Sequence, residues 1–288
     1  MPPMGLFIST KAFDDGTTRY GRIITAALTL ACSDFNASSS PNRITSLALD
    51  HLTDSSGVYL AAPLIGLRPF FDCFETIYVG TADNHFVDDL YCTGTQNTTF
   101  IDLYIKRSIA AASRFAKEHA PTLGSRLRWY LNYEAAGNYF GTGCSHFKPD
   151  ARAAPAAPLV SAEAFTSAYM TMFATLTSAL VQIHNTSVMW SPTFNTRSSD
   201  VADRRALLGN VTRMLGGVPL LREIANQDAI GKYSLYNISS GRFTYNLTCA
   251  DTVYYQALLH EAAAAAATGT PPVDVTVNME LFSRRNTV

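Results

Sequence analysis

Short runs of β-branched and aromatic residues alternate along this chain with longer stretches whose apolar residues recur at three-and-four spacing. That alternation constrains the fold more than any other feature, because repeated strand–helix units bury their apolar faces as a parallel sheet covered by helices. The expected strands are residues 5–9, 44–49, 76–81, 128–134, 187–192, 221–227 and 273–282, with Val58 to Leu60 competing for the second. Between them, 19–32 reads as a helix. Ile101, Tyr104, Ile105, Ile109, Ala112 and Phe115 form one apolar stripe, and Phe165, Tyr169, Met172, Phe173, Leu176 and Leu180 form another, behind a start signal at Ser161 and Glu163. Leu207, Val211 and Met214 mark a helix closed by Gly216 and Gly217, and 251–267 reads as the last helix.

Seven strands are found and an eighth is not. The expectation is therefore an α/β fold, a (β/α)8 barrel of TIM type over residues 1–288 as one catalytic domain, incomplete or truncated at the C-terminus. In such a barrel the chemistry sits at the C-terminal strand tips. The 128–134 run, Arg-Trp-Tyr-Leu-Asn-Tyr-Glu, ends on Glu134, and the last run places Glu280 two residues after Asn278. Two carboxylates on two barrel strands supply a proton donor for a leaving oxygen and a nucleophile or base for the anomeric carbon. Asp228, after the sixth strand, is a third acid, either the partner of Glu134 or a group that tunes it. Asp83, Asn132, Tyr133, Trp190, Asn195, Gln227 and Asn278 are the candidates for holding sugar hydroxyls and ring faces. The bland readings are a solvated carboxylate for each lone acid, an Asx turn for Asp228 and core packing for Trp190.

Other chemistries lack their signatures. There is no nucleophile elbow, P-loop or dinucleotide fingerprint, so no cofactor is expected. Six histidines show no paired metal-ligand spacing, and no Cys/His cluster indicates zinc. A formal net charge of −1 argues against a polyanionic nucleic-acid partner. No apolar stretch reads as bilayer-length, so no membrane span is expected. Six glycosylation sequons, at Asn36, Asn97, Asn185, Asn210, Asn237 and Asn246, point to a secreted glycoprotein, although 1–7 lacks the pattern of a signal peptide, which is taken as removed. Five cysteines fit that compartment with up to two disulfides, whose pairing the spacing leaves open.

Through Gly5-Leu6-Phe7-Ile8, Tyr78-Val79-Gly80-Thr81-Ala82-Asp83, Trp129 to Glu134, Gln227-Asp228 and Asn278 to Phe282, the chain resembles a family of bacterial and eukaryotic domains of unknown function grouped with the TIM-barrel glycosyl hydrolases. The placement of Glu134 and Glu280 is also similar to the retaining glycoside hydrolase clan with its acid/base on the fourth strand and its nucleophile on the seventh. That clan carries Asn immediately before the acid/base Glu, whereas Tyr133 stands there in this chain and Asn132 one position earlier. An inverting pair of Glu134 with Asp228 therefore stays open. The resemblance implies a hydrolase of an extracellular or cell-wall polysaccharide. The alternatives are a carbohydrate-binding barrel without catalysis and a polysaccharide lyase using Lys11, Tyr133 or Tyr139.

Overall fold

The computed structural model describes residues 4–13, 18–36, 44–83, 99–133, 139–143, 160–192, 194, 201–227, 249–267 and 272–278. Strand and helix alternate through them: β1 (Met4–Ile8), α1 (Arg19–Asn36), β2 (Ile44–His51), α2 (Ala61–Leu67), β3 (Thr76–Thr81), α3 (Thr99–Leu123), β4 (Leu127–Leu131), α4 (Tyr139–Thr142), α5 (Ala162–Ile183), β5 (Val188–Trp190), α6 (Val201–Gly217), β6 (Leu221–Gln227), α7 (Cys249–Ala266) and β7 (Asp274–Asn278). The chain divides into two compact units. One comprises Met1–His85, Asp102–Asn132 and Ser178–Met189, and the other Phe86–Ile101, Tyr133–Thr177 and Trp190–Val288.

In the first unit β1, β2, β3 and β4 pair in chain order, each parallel to the last. A doubly wound sheet reverses its order at a switch point, whereas a (β/α) barrel adds each strand to the same growing edge. The observed order is of the barrel type. Leu47, Leu49, Ile77, Val79, Leu127, Trp129 and Leu131 alternate along their strands and share one face of the sheet, which is fully buried. Close packing of β2 against β3 depends on Gly80, where a Cβ would stand 2.5 Å from the Asp50 carbonyl carbon and closer still to its oxygen. A Cys32–Cys73 disulfide ties α1 to the 3-10 turn Arg68–Cys73 that leads into β3.

In the second unit β6 and β7 pair in parallel with Gln227 opposite Asn278. Its core is aromatic. Phe165 stacks on Tyr169 at 4.0 Å, and Trp190 meets Phe173 and Phe140 edge-on at 5.3 and 5.9 Å. The stripe from Phe165 to Leu180 is buried as its spacing predicts. Ser161 caps α5 by accepting the Ala164 N–H at 3.2 Å.

Several boundaries depart from the sequence reading. β2 runs two residues further, to His51, and Tyr59 makes one antiparallel bridge to Thr53 rather than a strand. β4 stops at Leu131, so the expected strand 128–134 ends three residues early. The helix α2 is not expected from the sequence, because Pro63 reads as a breaker although the first turn of a helix tolerates it. The expectation of no bilayer-length apolar segment also needs correction: by length and composition α5 is apolar enough to span a membrane. Its serines and threonines look like interruptions in the sequence, but their hydroxyls bond back to carbonyls four residues earlier, as Thr166, Ser167, Thr171 and Thr175 do. Phe165, Tyr169, Met172, Phe173, Leu176 and Leu180 of this helix are enclosed by protein.

Candidate functional site

The C-terminal ends of β1, β2 and β3 carry a connected set of charged groups in the first unit. β1 leads into a 3-10 turn, Thr10–Ala12, which presents Lys11; β2 closes on Asp50 and His51; Asp83 follows β3 by two residues. The Thr10 N–H donates to Asp50 Oδ1 at 2.8 Å, so the turn after β1 is pinned to the tip of β2. His51 lies between two carboxylates, with Nδ1 2.9 Å from Asp50 Oδ2 and Nε2 3.6 Å from Asp83 Oδ1. Lys11 Nζ donates to the other oxygen of Asp83, and the Asp83 N–H donates to Thr53 Oγ1 at 3.0 Å. The Asp83 side chain is 2% exposed and that of Lys11 33%, so the pair runs from the interior to the surface.

Burial raises the Asp50 pKa, but the His51 imidazole and the Thr10 N–H outweigh it and hold the carboxyl below its ordinary value. Asp50 is therefore a carboxylate at neutral pH and keeps an acceptor against His51. The cluster is amphoteric: an ammonium bonded to one carboxylate, and an imidazole whose nitrogens lie 2.9 and 3.6 Å from the two carboxylates. Such a set can donate to and accept from a polyhydroxylated ligand. Asp50, His51 and Asp83 adjoin without converging, and among the described residues no three His, Cys, Asp or Glu side chains are arranged to hold a metal ion.

A second network lies beside it at the ends of β3 and β4. The Thr81 hydroxyl reaches Asn132 Oδ1 at 2.6 Å, the Tyr104 hydroxyl reaches the same oxygen at 2.9 Å, and the two hydroxyls are 2.6 Å apart. Asn132 Nδ2 donates to the Ala82 carbonyl at 3.0 Å. All three polar side chains are buried. These bonds hold the chain in place just beyond β4, so the backbone two residues before Glu134 is fixed by side chains where the strand ladder has ended.

In the second unit Tyr133 and Trp190 are enclosed. The Trp190 indole donates to the Tyr133 carbonyl at 2.8 Å, and the Tyr133 hydroxyl pairs with that of Tyr169. Both rings pack as core, with 1% and 0% exposure. Gln227 and Asn278 close β6 and β7 as a paired rung, so these two expected site residues are brought together. In sequence Asp228 follows that rung by one residue and Glu280 by two. Asn226, unremarked in the sequence, is 1% exposed at the end of β6, and neither its amide oxygen nor its nitrogen has a partner among the described residues.

Glu134, Glu280, Asp228 and Asn195 lie outside the described residues. So do sequons Asn97, Asn237 and Asn246, and the side chain of Asn36. Asn185 is exposed, whereas the Asn210 amide is half-buried within α6 and donates to the Phe140 carbonyl at 2.6 Å.

No family model matches the chain, and no curated protein matches it. Solved structures that resemble it loosely include two xylanases. One is a point mutant of xylanase A from P. fluorescens subsp. cellulosa in complex with xylopentaose, at 11% identity over 99% of this chain and 72% of that one, with a TM-score of 0.49. The other is a thermostable mutant of a xylanase from Cellvibrio japonicus, at 13% identity over 96% and 85%, with a TM-score of 0.44. A likeness this loose fixes neither family nor activity, and the barrel-type order rests on the chain's own strand pairing.

Sequence reasoning places Asp83 and Asn132 at strand tips, where both stand, but it passes over Asp50 and His51 and weighs Lys11 only as a lyase base. The signal for Asp50 and His51 is their position: two polar residues directly after an apolar strand, which read as its end rather than its tip.

Proposed function

We propose that the chain is a glycoside hydrolase acting on an extracellular or cell-wall polysaccharide, with Glu134 as general acid/base, Glu280 as nucleophile and Asp228 as a modulator or inverting base. The observation that carries this reading is the amphoteric cluster of Lys11, Asp50, His51 and Asp83 at the C-terminal tips of parallel strands ordered as in a barrel. A sugar ring offers hydroxyls that both donate and accept, and such a cluster matches them without requiring a net charge on the substrate. The bonded anchor of Asn132 supports a fixed role for the carboxyl two residues on, since an acid/base must keep its position to within a fraction of an ångström. Secretion is part of the proposal, in keeping with the exposed sequon at Asn185 and the Cys32–Cys73 disulfide.

The test is reducing-end release from a panel of neutral polysaccharides by the wild type and by Glu134→Gln and Glu280→Gln. The expected result is product from the wild type and a loss of roughly two or more orders of magnitude in each variant, the usual reach of a general acid or a covalent nucleophile. The anomer formed first, read by NMR, separates retention from inversion. Saturable binding without any product would sink the hydrolase reading in favour of a carbohydrate-binding barrel, and an unsaturated uronate absorbance would indicate a lyase.

A further inference from the structure

The first unit carries a second concave site at its opposite end, where β3 and β4 begin. Here α2, the 3-10 turn Arg68–Cys73 and the C-terminal end of α3 enclose a cleft of about 380 Å3, lined by Ile65, Arg68, Phe71, His119, Thr122 and Leu123. That volume lies at the lower end of the range for small-molecule sites.

Three of the lining groups lack the partners their chemistry calls for. His119 is 5% exposed, yet its Nε2 has no hydrogen bond among the described residues. The nearest carboxylate oxygen, Glu118 Oε2, is 3.8 Å away and already accepts from the Tyr59 hydroxyl, while Oε1 accepts from Arg114 Nε. Arg68 projects from the surface with no carboxylate paired to it among the described residues. The one acid beside it, Asp72, is taken by Arg126 Nη2 at 2.9 Å. Ile65 is 66% exposed, a large aliphatic residue at the rim of a concave site. A buried polar nitrogen with no partner costs free energy unless something satisfies it, so each native case calls for a reason. Of the remaining walls Phe71 and Leu123 are apolar and buried, Thr122 and the Arg126-paired Asp72 are polar, and the His119 ring packs on Phe115 and edge-on to Phe71.

We infer that this cleft binds a small amphiphilic carboxylate, its apolar body against Ile65, Phe71 and Leu123, its anionic group on the Arg68 guanidinium, and one oxygen hydrogen-bonded to His119 Nε2. The ligand binds non-covalently. Burial and the nearby Arg68 charge lower the His119 pKa, with Glu118 opposing, so the imidazole enters the complex neutral and can donate from Nε2 without a proton being taken up. Within the first unit this site lies at the end opposite the Lys11, Asp50, His51 and Asp83 cluster, since its elements precede β3 and β4 whereas that cluster follows β1, β2 and β3.

The test uses the full chain and 3-phenylpropionate as the probe, followed by the imidazole NMR signals of His119, with 3-phenylpropionamide as the uncharged control. The expected result is a saturable shift at His119 with the acid. Affinity falls about tenfold or more for the amide and for Arg68→Ala, as the loss of a charge-assisted hydrogen bond implies. Arg68 is exposed, so that variant keeps its fold, which circular dichroism verifies; His119→Phe serves as the second variant and removes the polar contact alone. Absence of saturation into the tens of millimolar overturns the site. Equal affinity for acid and amide, or an Arg68→Ala variant that binds as the wild type does, overturns the carboxylate assignment. Retained binding in Glu134→Gln and Glu280→Gln separates this site from the proposed catalytic one.

Discussion

His51 Nδ1 stands 2.9 Å from the Oδ2 of Asp50, its own neighbour at the tip of β2, while its Nε2 faces Asp83, two residues beyond β3. Adjacent residues on a regular strand point to opposite faces, so the two meet only where the ladder is ending. The contact fixes the ring that reaches across to β3. Asp50 in turn is held by the Thr10 N–H and Asp83 by Lys11, so the turn after β1 is bonded both to the tip of β2 and to the residue beyond β3.

The depressed Asp50 pKa sets a pH dependence of known sign. A carboxyl whose folded-state pKa lies below its unfolded value stabilises the fold fully above the unfolded value, about 3.9 for Asp, and loses that contribution as pH falls through the folded value. Asp50→Asn should therefore be less stable than the wild type by about 1.5–3 kcal/mol at pH 7, the range for hydrogen bonds to a charged group. The gap should narrow in acid, below about pH 4. Urea midpoints from pH 7 to pH 3 check this. A gap that stays constant would mean that packing, not charge, made the difference.

Gly80 and Gly209 should respond to alanine in opposite directions. At Gly80 a Cβ meets backbone, the carbonyl group of Asp50 with its carbon at 2.5 Å, and backbone cannot swing aside as a side-chain end can. Gly80→Ala must part β2 from β3, at a cost of about 3 kcal/mol or more, and it should shift the His51 NMR signals as the Asp50 tip moves. Gly209 lies inside α6, and a methyl group added there would meet nothing within 4 Å among the described residues. There alanine should stabilise by about 0.5–1 kcal/mol. Thermal denaturation of both variants checks the contrast.

What the sequence makes legible follows from which signals are local. β3 falls where its β-branched run lies, because a half-buried pleated strand favours such residues, and β6 falls where its apolar residues Leu221, Ile224 and Ala225 lie. The stripe of α5 is equally plain. The tips are harder: the polar residues that end a barrel strand carry the chemistry, yet they look like loop residues, so the expected β2 stops before Asp50 and His51. At β4 the opposite error arises. Asn132 and Tyr133 read as strand, but side-chain bonds to Thr81 and Tyr104, fifty-one and twenty-eight residues away in sequence, hold Asn132 there. Periodicity cannot show a partner so distant. The cleft around His119 is invisible for the same reason, since Arg68 in the 3-10 turn and His119 on α3 are about fifty residues apart in sequence yet line one cleft.

The Cys32–Cys73 disulfide closes a loop with a sequence separation of 41. In the chain-entropy account such a link stabilises by about 4 kcal/mol, by restricting the unfolded chain. Cys73→Ser should lose most of that, and reductant should lower the urea midpoint of the wild type while leaving that of the variant in place. A reductant effect of equal size in both would assign it to another pair.

Asn132, Thr81 and Tyr104 form a coupled set, because two hydroxyl protons serve three oxygens. Thr81 and Tyr104 both donate to Asn132 Oδ1, so the two bonds share one acceptor and hold each other's geometry. Asn132→Ala removes the shared acceptor and leaves the Ala82 carbonyl without its donor, costing about 2–3 kcal/mol. Thr81→Val removes one of the two donors and should cost about 1–2 kcal/mol. Once one link is gone the other is worth less, so the double variant should fall short of the sum by at least about 0.5 kcal/mol. Strict additivity in denaturant titrations would mean that the three groups act as separate pairs. Under the proposed function Asn132→Ala should also lower kcat more than it raises KM, because its effect would reach the substrate only through the position of the carboxyl two residues along the chain.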